Sequence, residues 1–276
     1  MAAAMHEPVM VPEVIGLLAP AHGGLFVDCT VGLGGHSRAL LEAGAERVLG
    51  LDRDPAALAT AAEALAPFAH RVELVHADYR ELDRVLDERG IARVAGALAD
   101  LGVSSMQLDS EGRGFSFRRD EPLDMRMDPT AGPTAADLLR DVDERELADV
   151  IFRFGEERFS RRVARAIVTM RREEPIATTG RLAAIVRRAV PHGGRQRIDP
   201  ATRTFQALRI WVNGELDGLD RFLERAVRRL RAGARLAVIT FHSLEDRIVK
   251  HTFRALERAD EALVRVLTKK PITPGE

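Results

Sequence analysis

Residues 25–36 read Leu25-Phe26-Val27-Asp28-Cys29-Thr30-Val31-Gly32-Leu33-Gly34-Gly35-His36, and residues 48–54 read Val48-Leu49-Gly50-Leu51-Asp52-Arg53-Asp54. An apolar run, a glycine-rich turn, a helical stretch starting near His36 and a second apolar run ending in an acid form one unit. Glycines in such a turn tolerate positive φ and let backbone approach a ligand. The unit suits an adenosine-bearing cofactor, but the dinucleotide fingerprint G-x-G-x-x-G is incomplete: the spacing is Gly32-x-Gly34-Gly35 and position 37 is serine. Asp28, at the end of the first run, could meet a cationic or amine-bearing ligand. Asp52, 18 positions past Gly34, could accept both ribose hydroxyls. These features favour S-adenosylmethionine over a pyrophosphate-bearing cofactor.

Working outward, short apolar runs recur at Leu25–Cys29, Arg47–Leu51, Val72–Val75 and Val94–Ala99, separated by helical stretches. Each is nearly continuous in apolar residues, as parallel strands buried on both faces are. The alternation predicts a doubly wound α/β sheet. Asp78-Tyr79 follows the third run, where the acid could accept from an adenine amino group and the ring could stack. Asp100 ends the fourth, facing the crevice where open α/β sheets bind ligands. One glycine turn is often only a turn, but four acids at four strand ends in one sheet are much less readily accidental. From Gly112 to Pro133 the rhythm breaks into a Gly- and Pro-containing stretch that reads as a long loop. Helix starts follow at Thr134-x-x-Asp137 and Asp143-x-x-Glu146. Apolar residues at helical spacing run from Phe159 to Met170, a helix follows Thr179, and a further stripe runs from Leu216 to Leu230. A last strand, Leu236–Phe241, follows a turn at Gly233 and belongs with the first four. The expected organisation is a sheet domain of residues 1–107 and 206–276, interrupted by an inserted all-helical domain at 108–205.

The totals restrict the class. The chain has 276 residues, 46% hydrophobic, net charge -1 and one cysteine, Cys29, so an internal disulfide is excluded and a reducing, cytoplasmic setting fits. Cys29 reads as a small buried residue rather than a nucleophile. No apolar run is long enough to span a membrane, the first residues do not resemble a secretory signal, and no Cys/His spacing suggests a metal. Residues 151–210 nevertheless carry 14 arginines against five acids. Arg158, Arg161, Arg162, Arg165 and Arg172 fall on one helix side, opposite the apolar stripe. A basic helical face is the footprint expected for RNA phosphate, although i,i+4 pairs such as Glu157 with Arg161 would account for a few of these charges. The 112–129 loop mixes Arg118 and Arg126 with Phe115 and Phe117, which either read a flipped base or anchor the insertion to the sheet. Met125 and Met127 read as packing residues. His242 and Ser243 follow the last strand: His242 is a candidate for substrate orientation, and Ser243 for capping the next helix through Asp246.

Several longer strings carry a family resemblance: His6-Glu7-Pro8-Val9-Met10-Val11-Pro12-Glu13-Val14, Gly34-Gly35-His36-Ser37-Arg38, Asp100-Leu101-Gly102-Val103-Ser104-Ser105-Met106-Gln107-Leu108-Asp109 and Gly114-Phe115-Ser116-Phe117. So do Pro122-Leu123-Asp124-Met125-Arg126-Met127-Asp128-Pro129, Gly155-Glu156-Glu157-Arg158-Phe159, the run Ala201–Asn213, and Phe241-His242-Ser243-Leu244-Glu245-Asp246-Arg247. Together they resemble the RsmH (MraW) family of bacterial methyltransferases acting on small-subunit (16S) ribosomal RNA. The resemblance implies a Rossmann-like class I methyltransferase fold and transfer of a methyl group from S-adenosylmethionine to N4 of a cytidine in the decoding region. It implies cofactor contacts at Gly34, Gly35, His36, Asp52, Tyr79, Asp100 and Gln107, and 16S rRNA in the small ribosomal subunit as partner. The family usually has Phe where Tyr79 stands. Its members continue past Glu276 to a last sheet strand, so this chain is expected to lack that strand and to end just after another at Val264–Thr268. Whether the chain is a monomer or a homodimer stays open.

Many amino-group methyltransferases place an Asp/Asn-Pro-Pro-aromatic motif after the fourth strand; here the place reads Asp100-Leu101-Gly102-Val103. Asp100 is the candidate catalytic residue, orienting the amine, or it holds the cofactor instead. Two other readings stand beside this one. An NAD-linked oxidoreductase would bind NAD and not S-adenosylmethionine. An RNA-binding or assembly protein would bind RNA without transferring a methyl group.

Overall fold

Five apolar runs become strands; the three central ones are buried on both faces, whereas the two at the edges are partly exposed. In the computed structural model, which describes residues 8–191, 198–259 and 262–274, β1 is Leu25–Asp28, β2 Arg47–Asp52, β3 Val72–His76, β4 Val94–Asp100 and β5 Leu230–Ile239. His6, Arg195 and Arg197 lie outside the described residues. The strands form one parallel sheet in the order β3-β2-β1-β4-β5. Neighbouring residues on each strand feed opposite faces. Phe26, Val48 and Leu98 pack on one side with Leu40 and Leu41. Val27, Leu49 and Ala97 pack on the other with Leu86, Phe222 and Leu223. The helices are α1 Val11–Leu18, α2 Gly35–Glu42, α3 Pro55–Ala64, α4 Leu82–Asp87, α5 Ser105–Asp109, α6 Ala135–Asp141, α7 Glu144–Gly155, α8 Ser160–Met170, α9 Thr179–Ala189, α10 Ala201–Asn213, α11 Leu219–Arg228 and α12 Ser243–Arg258. The doubly wound α/β expectation holds. The order reverses between β1 and β4, which opens a crevice beyond their carboxyl ends.

The chain divides into two compact units, residues 1–102 with 217–276, and residues 103–216. The helical unit is thus wider than the expected 108–205: it takes in Val103 to Gln107 and all of α10, whose Ala201, Phe205 and Leu208 are buried in its core. Two further details differ from the sequence reading. β5 starts at Leu230, and Gly233 (φ 81°) sits inside it at an irregularity where Val94 pairs Leu230 but Gly96 pairs Arg235. Residues 264–268 form no strand. Among the described residues, β5 pairs with β4 alone.

In the helical unit, Thr134 and Asp143 cap α6 and α7 as their spacing suggests. The stretch from Gly112 to Pro133 is better packed than a loop reading implies. Its Phe115, Leu123, Met125 and Met127 are buried in the unit's core, and Leu123 N–H donates to the Ala177 carbonyl at 2.9 Å. Asn213, 4% exposed, ties this stretch to α10. Its Oδ1 accepts from Met127 N–H and its Nδ2 donates to the Met125 carbonyl, both at 2.7 Å. Asn213→Ala leaves those buried groups unsatisfied and is expected to cost ~2–4 kcal/mol. Urea denaturation measures it, and an unchanged midpoint would show the stretch is held by its apolar residues alone.

Candidate active site

The first sheet–helix turn is built around two acids that serve the turn itself. Asp28 is fully buried; its Oδ2 accepts from Ser37 Oγ at 2.7 Å and its Oδ1 from Thr30 N–H at 3.2 Å. Burial pushes its carboxyl above the usual range, against the charge of His36 and these hydrogen bonds. The expectation that Asp28 meets a ligand amine is corrected: no part of it reaches the surface, and it anchors the turn from below. Ser37, at the position of the absent third glycine, is its partner. Asp52 reaches across from the end of β2, with Oδ2 accepting from Gly32 N–H at 2.8 Å and Oδ1 from Asp54 N–H at 2.9 Å. Each oxygen keeps a second lone pair, and the residue is only half-buried. Burial raises its carboxyl to about 6, more than those two hydrogen bonds lower it. Gly34 caps α2 at φ 85°, and a Cβ there would come within 3.1 Å of Leu65.

Asp100, at the end of β4, closes the other side. Its N–H donates to Thr30 Oγ1 at 2.6 Å, so the turn and β4 are locked together. Its Oδ2 lies 3.7 Å from His36 Nδ1. His36 Nε2 is 2.9 Å from the Val9 carbonyl, which can only accept, so Nε2 carries hydrogen and a neutral ring turns its Nδ1 lone pair toward Asp100. Asp100 Oδ1 is buried and has no hydrogen-bond partner among the described residues. Burial first, then the charges of Asp28 and Glu245, raise its carboxyl to about 6, while His36 pulls the other way. An orphaned buried acceptor costs stability unless something binds it.

The structure brings His36, Asp52 and Asp100 together around the glycine turn, but not Asp78 as an acceptor. Asp78 Oδ1 and Oδ2 receive Arg80 Nε and Nη2, each at 2.7 Å, with Arg53 at 3.5 Å. Burial would raise its carboxyl, yet Arg80 and Arg53 hold it below the usual range. The adenine-amine reading of Asp78 is therefore corrected: its side chain caps the turn at Tyr79 and fixes Arg80. The Tyr79 ring packs against Phe222, centroids 4.6 Å apart. Gln107 is 5% exposed and completes a capping box with Ser104 at the start of α5.

At the end of β5 the helix cap is His242, not Ser243. Its Nδ1 faces Glu245 N–H at 3.4 Å and its Nε2 lies 3.1 Å from Glu245 Oε1. The His242 side chain is 8% exposed, so the substrate-orienting role is corrected to a structural one. Glu245, 1% exposed, was not singled out from the sequence. An acid in the first turn of a helix ordinarily faces water, and only the sheet end above it reveals its burial.

The basic face of the helical unit also sorts itself. Arg126 is held by Asp124 through two bonds of 2.7 and 2.8 Å, which corrects its assignment to RNA. Arg165 pairs with Glu144 at 3.1 Å but remains exposed, Arg158 lies 4.7 Å from the Phe159 ring, and Arg172 is exposed. Arg118, Arg161 and Arg162 are exposed and, among the described residues, form no ion pair. Phe115 is buried, and Phe117 packs edge-on to Phe205 at 4.7 Å. Both belong to the helical unit's own core, and the half-buried Phe117 ring has the Arg187 guanidinium 5.4 Å from its centroid. Cys29 is 1% exposed, and burial pushes its thiol up. No described helix is long and apolar enough to cross a membrane.

A profile of the MraW methylase family matches residues 3–276. Among similar proteins are three that bear the name ribosomal RNA small subunit methyltransferase H. The one from Geotalea uraniireducens is 48% identical, over 98% of this chain and 92% of its own. That from Paramagnetospirillum magneticum is 52% identical, over 93% and 80%. That from Gloeobacter violaceus is 53% identical, over 99% and 82%.

Proposed function

The chain belongs to the MraW methylase family, and from that we propose that it methylates the N4 amino group of a cytidine in small-subunit (16S) ribosomal RNA, in the decoding region, using S-adenosylmethionine. The similar proteins' common name supports rRNA of the small subunit as substrate. The observation that carries the amine chemistry is the Asp100 carboxylate: a buried, unpartnered Oδ1 beside a glycine turn, on an acid whose pKa is near 6.

The residues present fit the cofactor. Asp52 offers its remaining lone pairs to two ribose hydroxyls, and the turn at Gly34 and Gly35 lets backbone come close. Tyr79, held on Phe222, supplies an aromatic edge at the end of β3. Bound S-adenosylmethionine supplies an electrophilic methyl group. The cytosine amine is a poor nucleophile because its lone pair is delocalised into the ring. Asp100 Oδ1 accepts one amine N–H, which favours a pyramidal N4 whose lone pair is localised away from the ring π system, and its negative charge favours the positive charge growing on N4. The same oxygen takes the proton that N4 sheds. The Val9 carbonyl fixes the His36 ring, whose Nδ1 stands 3.7 Å from Asp100 Oδ2 and borders the carboxylate without donating a hydrogen bond to it.

RNA phosphate is held by Arg118, Arg161 and Arg162, with Arg158, Arg165 and Arg172 beside them. Arg161→Ala with Arg162→Ala is expected to weaken RNA binding about 10-fold at low salt and to flatten its salt dependence by ~1.4 logarithmic units per decade, two released counterions for single-stranded RNA. Cofactor affinity should not change. Filter binding across a salt series measures this, and an unaltered slope removes α8 from the interface.

The test of the function is transfer of labelled methyl from S-adenosylmethionine to small subunits lacking the modification, followed by digestion to nucleosides. Label in N4-methylated cytidine is expected. Label in another nucleoside contradicts the amine chemistry, and RNA binding without label contradicts an enzyme.

A further inference from the structure

Amino-group methyltransferases of the Asp/Asn-Pro-Pro-aromatic type carry a ring directly after the fourth strand. Here the residue at that place is Val103, which packs against the core of the helical unit. A ring stands at the sheet end nonetheless. Phe241, two residues past the end of β5, is 57% exposed, whereas Phe26 and Leu98 on the central strands are almost fully buried. Asp100 pairs with Ile239 across β4 and β5, so Phe241 continues β5 alongside Gly102. The ring lies on Gly102: a Cβ there would come 3.3 Å from Phe241 Cδ2, on a backbone with φ +95°. Glycine therefore does two things at this position, taking the positive φ and leaving room for the ring.

The backbone under that ring is fixed by a buried acid. Phe241 N–H donates to Glu245 Oε2 at 3.0 Å, while Glu245 Oε1 faces His242 Nε2 at 3.1 Å. Glu245 also contributes to the raised pKa of Asp100, so the exposed ring, the buried acid and the unpartnered Asp100 oxygen share one end of the sheet. A single exposed apolar side chain needs no explanation by itself. A pinned, outward-facing ring two residues beyond the partner of the orphaned acceptor is a different matter, because unpaired bases are held by stacking on aromatic faces.

We propose that Phe241 is the stacking platform for the target pyrimidine, supplied from the end of β5 in place of the ring missing after β4. Glu245 and His242 are positioning residues that hold it. The inference rests on the methyltransferase reading above and adds which residue receives the base. Cytosine lies against the Phe241 face with its amine directed at Asp100 Oδ1.

The test separates a π-face from mere apolar volume. Phe241→Leu keeps the bulk and loses the ring, whereas Phe241→Tyr and Phe241→Trp keep the ring. Stacking predicts that Phe241→Leu raises KM for RNA about 10-fold or more, with S-adenosylhomocysteine affinity and the denaturation midpoint unchanged, and that Tyr and Trp restore KM. In Phe241→Trp, with S-adenosylhomocysteine present, oligocytidylate should quench emission beyond the signal of wild type, which carries Trp211 alone. Equal KM for the Leu and Tyr variants, with no added quenching, overturns the stack and leaves the methyltransferase reading standing. Quenching in Phe241→Trp with no methyl transfer by any variant or by wild type overturns the methyltransferase reading and leaves the stack standing.

Discussion

Asp100→Asn is expected to slow methyl transfer severely and, at the same time, to make the chain more stable. The amide keeps the shape but loses the negative charge and the proton acceptor, so the rate constant should fall by ~10²–10³-fold, the range for removing one preorganised polar contact to the transition state. Stability moves the other way because the folded state raises this carboxyl from 3.8 to about 6. An acid raised on folding favours the folded state when protonated. That contribution is complete below the unfolded value near 3.8 and is lost as pH rises through about 6. At pH 8 the ionised, unpartnered group therefore opposes folding by ~3 kcal/mol. The Asn variant should recover much of this at pH 8 and little at pH 4. Urea denaturation at both pH values, beside single-turnover methyl transfer, reads the two effects. A variant that keeps a tenth of its activity, or loses stability at pH 8, removes Asp100 from the role given to it.

Asp52→Ala should weaken S-adenosylhomocysteine binding by ~100-fold or more. Two hydrogen bonds from ribose hydroxyls to a charged acceptor are lost, at ~1.5–3 kcal/mol each, and the turn loses its tie to Gly32. A pH dependence accompanies it. Because burial holds this carboxyl at about 6, wild-type affinity should fall as pH drops through 6, as the carboxylate takes a proton and gives up an acceptor site. The variant should show a flat profile over the same range. Calorimetric titration from pH 5 to 8 measures both, and undiminished affinity at pH 8 contradicts the ribose assignment.

The two predictions turn on residues that the sequence marks clearly. A run such as Leu25–Asp28 buried on both faces is continuous in apolar residues, and the acid that follows lies at the sheet's carboxyl end by construction. Strand identity and the positions of Asp52 and Asp100 were thus legible from pattern alone. What each acid does was not. Asp28, Asp52, Asp78 and Asp100 occupy equivalent places in the sequence, yet Asp28 is sealed beneath the turn, Asp78 is claimed by Arg80, and only Asp52 and Asp100 keep acceptor capacity at the crevice. That difference comes from partners such as Ser37 and Arg80, whose side-chain direction no spacing rule gives.

The same limit explains the arginines. Arg126 and Arg161 look alike in a charge count, but Asp124 two residues away captures the first. A basic composition reports the net field of a segment and not which guanidinium is left to meet phosphate. The stretch from Gly112 to Pro133 was misjudged for a further reason. Its Leu123, Met125 and Met127 alternate with Asp124, Arg126 and Asp128, but the run is short and closed by Pro122 and Pro129, so it does not stand out as a regular element. They pack because backbone bonds from Met125 and Thr179 hold the stretch against its neighbours. The burial of Glu245 at a helix start depends on what lies above it, which no local spacing gives.

The proposed methyl transfer requires one arrangement, the methyl donor in the crevice past β1, β2 and β4 with the target amine at Asp100. A structure of the chain with S-adenosylhomocysteine and cytidine measures it directly. The expected result is both ribose hydroxyls within about 2.5–3.0 Å of the Asp52 carboxylate and cytosine N4 within about 2.7–3.2 Å of Asp100 Oδ1. A donor bound at another edge of the sheet, or a cytosine amine turned away from Asp100 with both ligands at saturation, would contradict it.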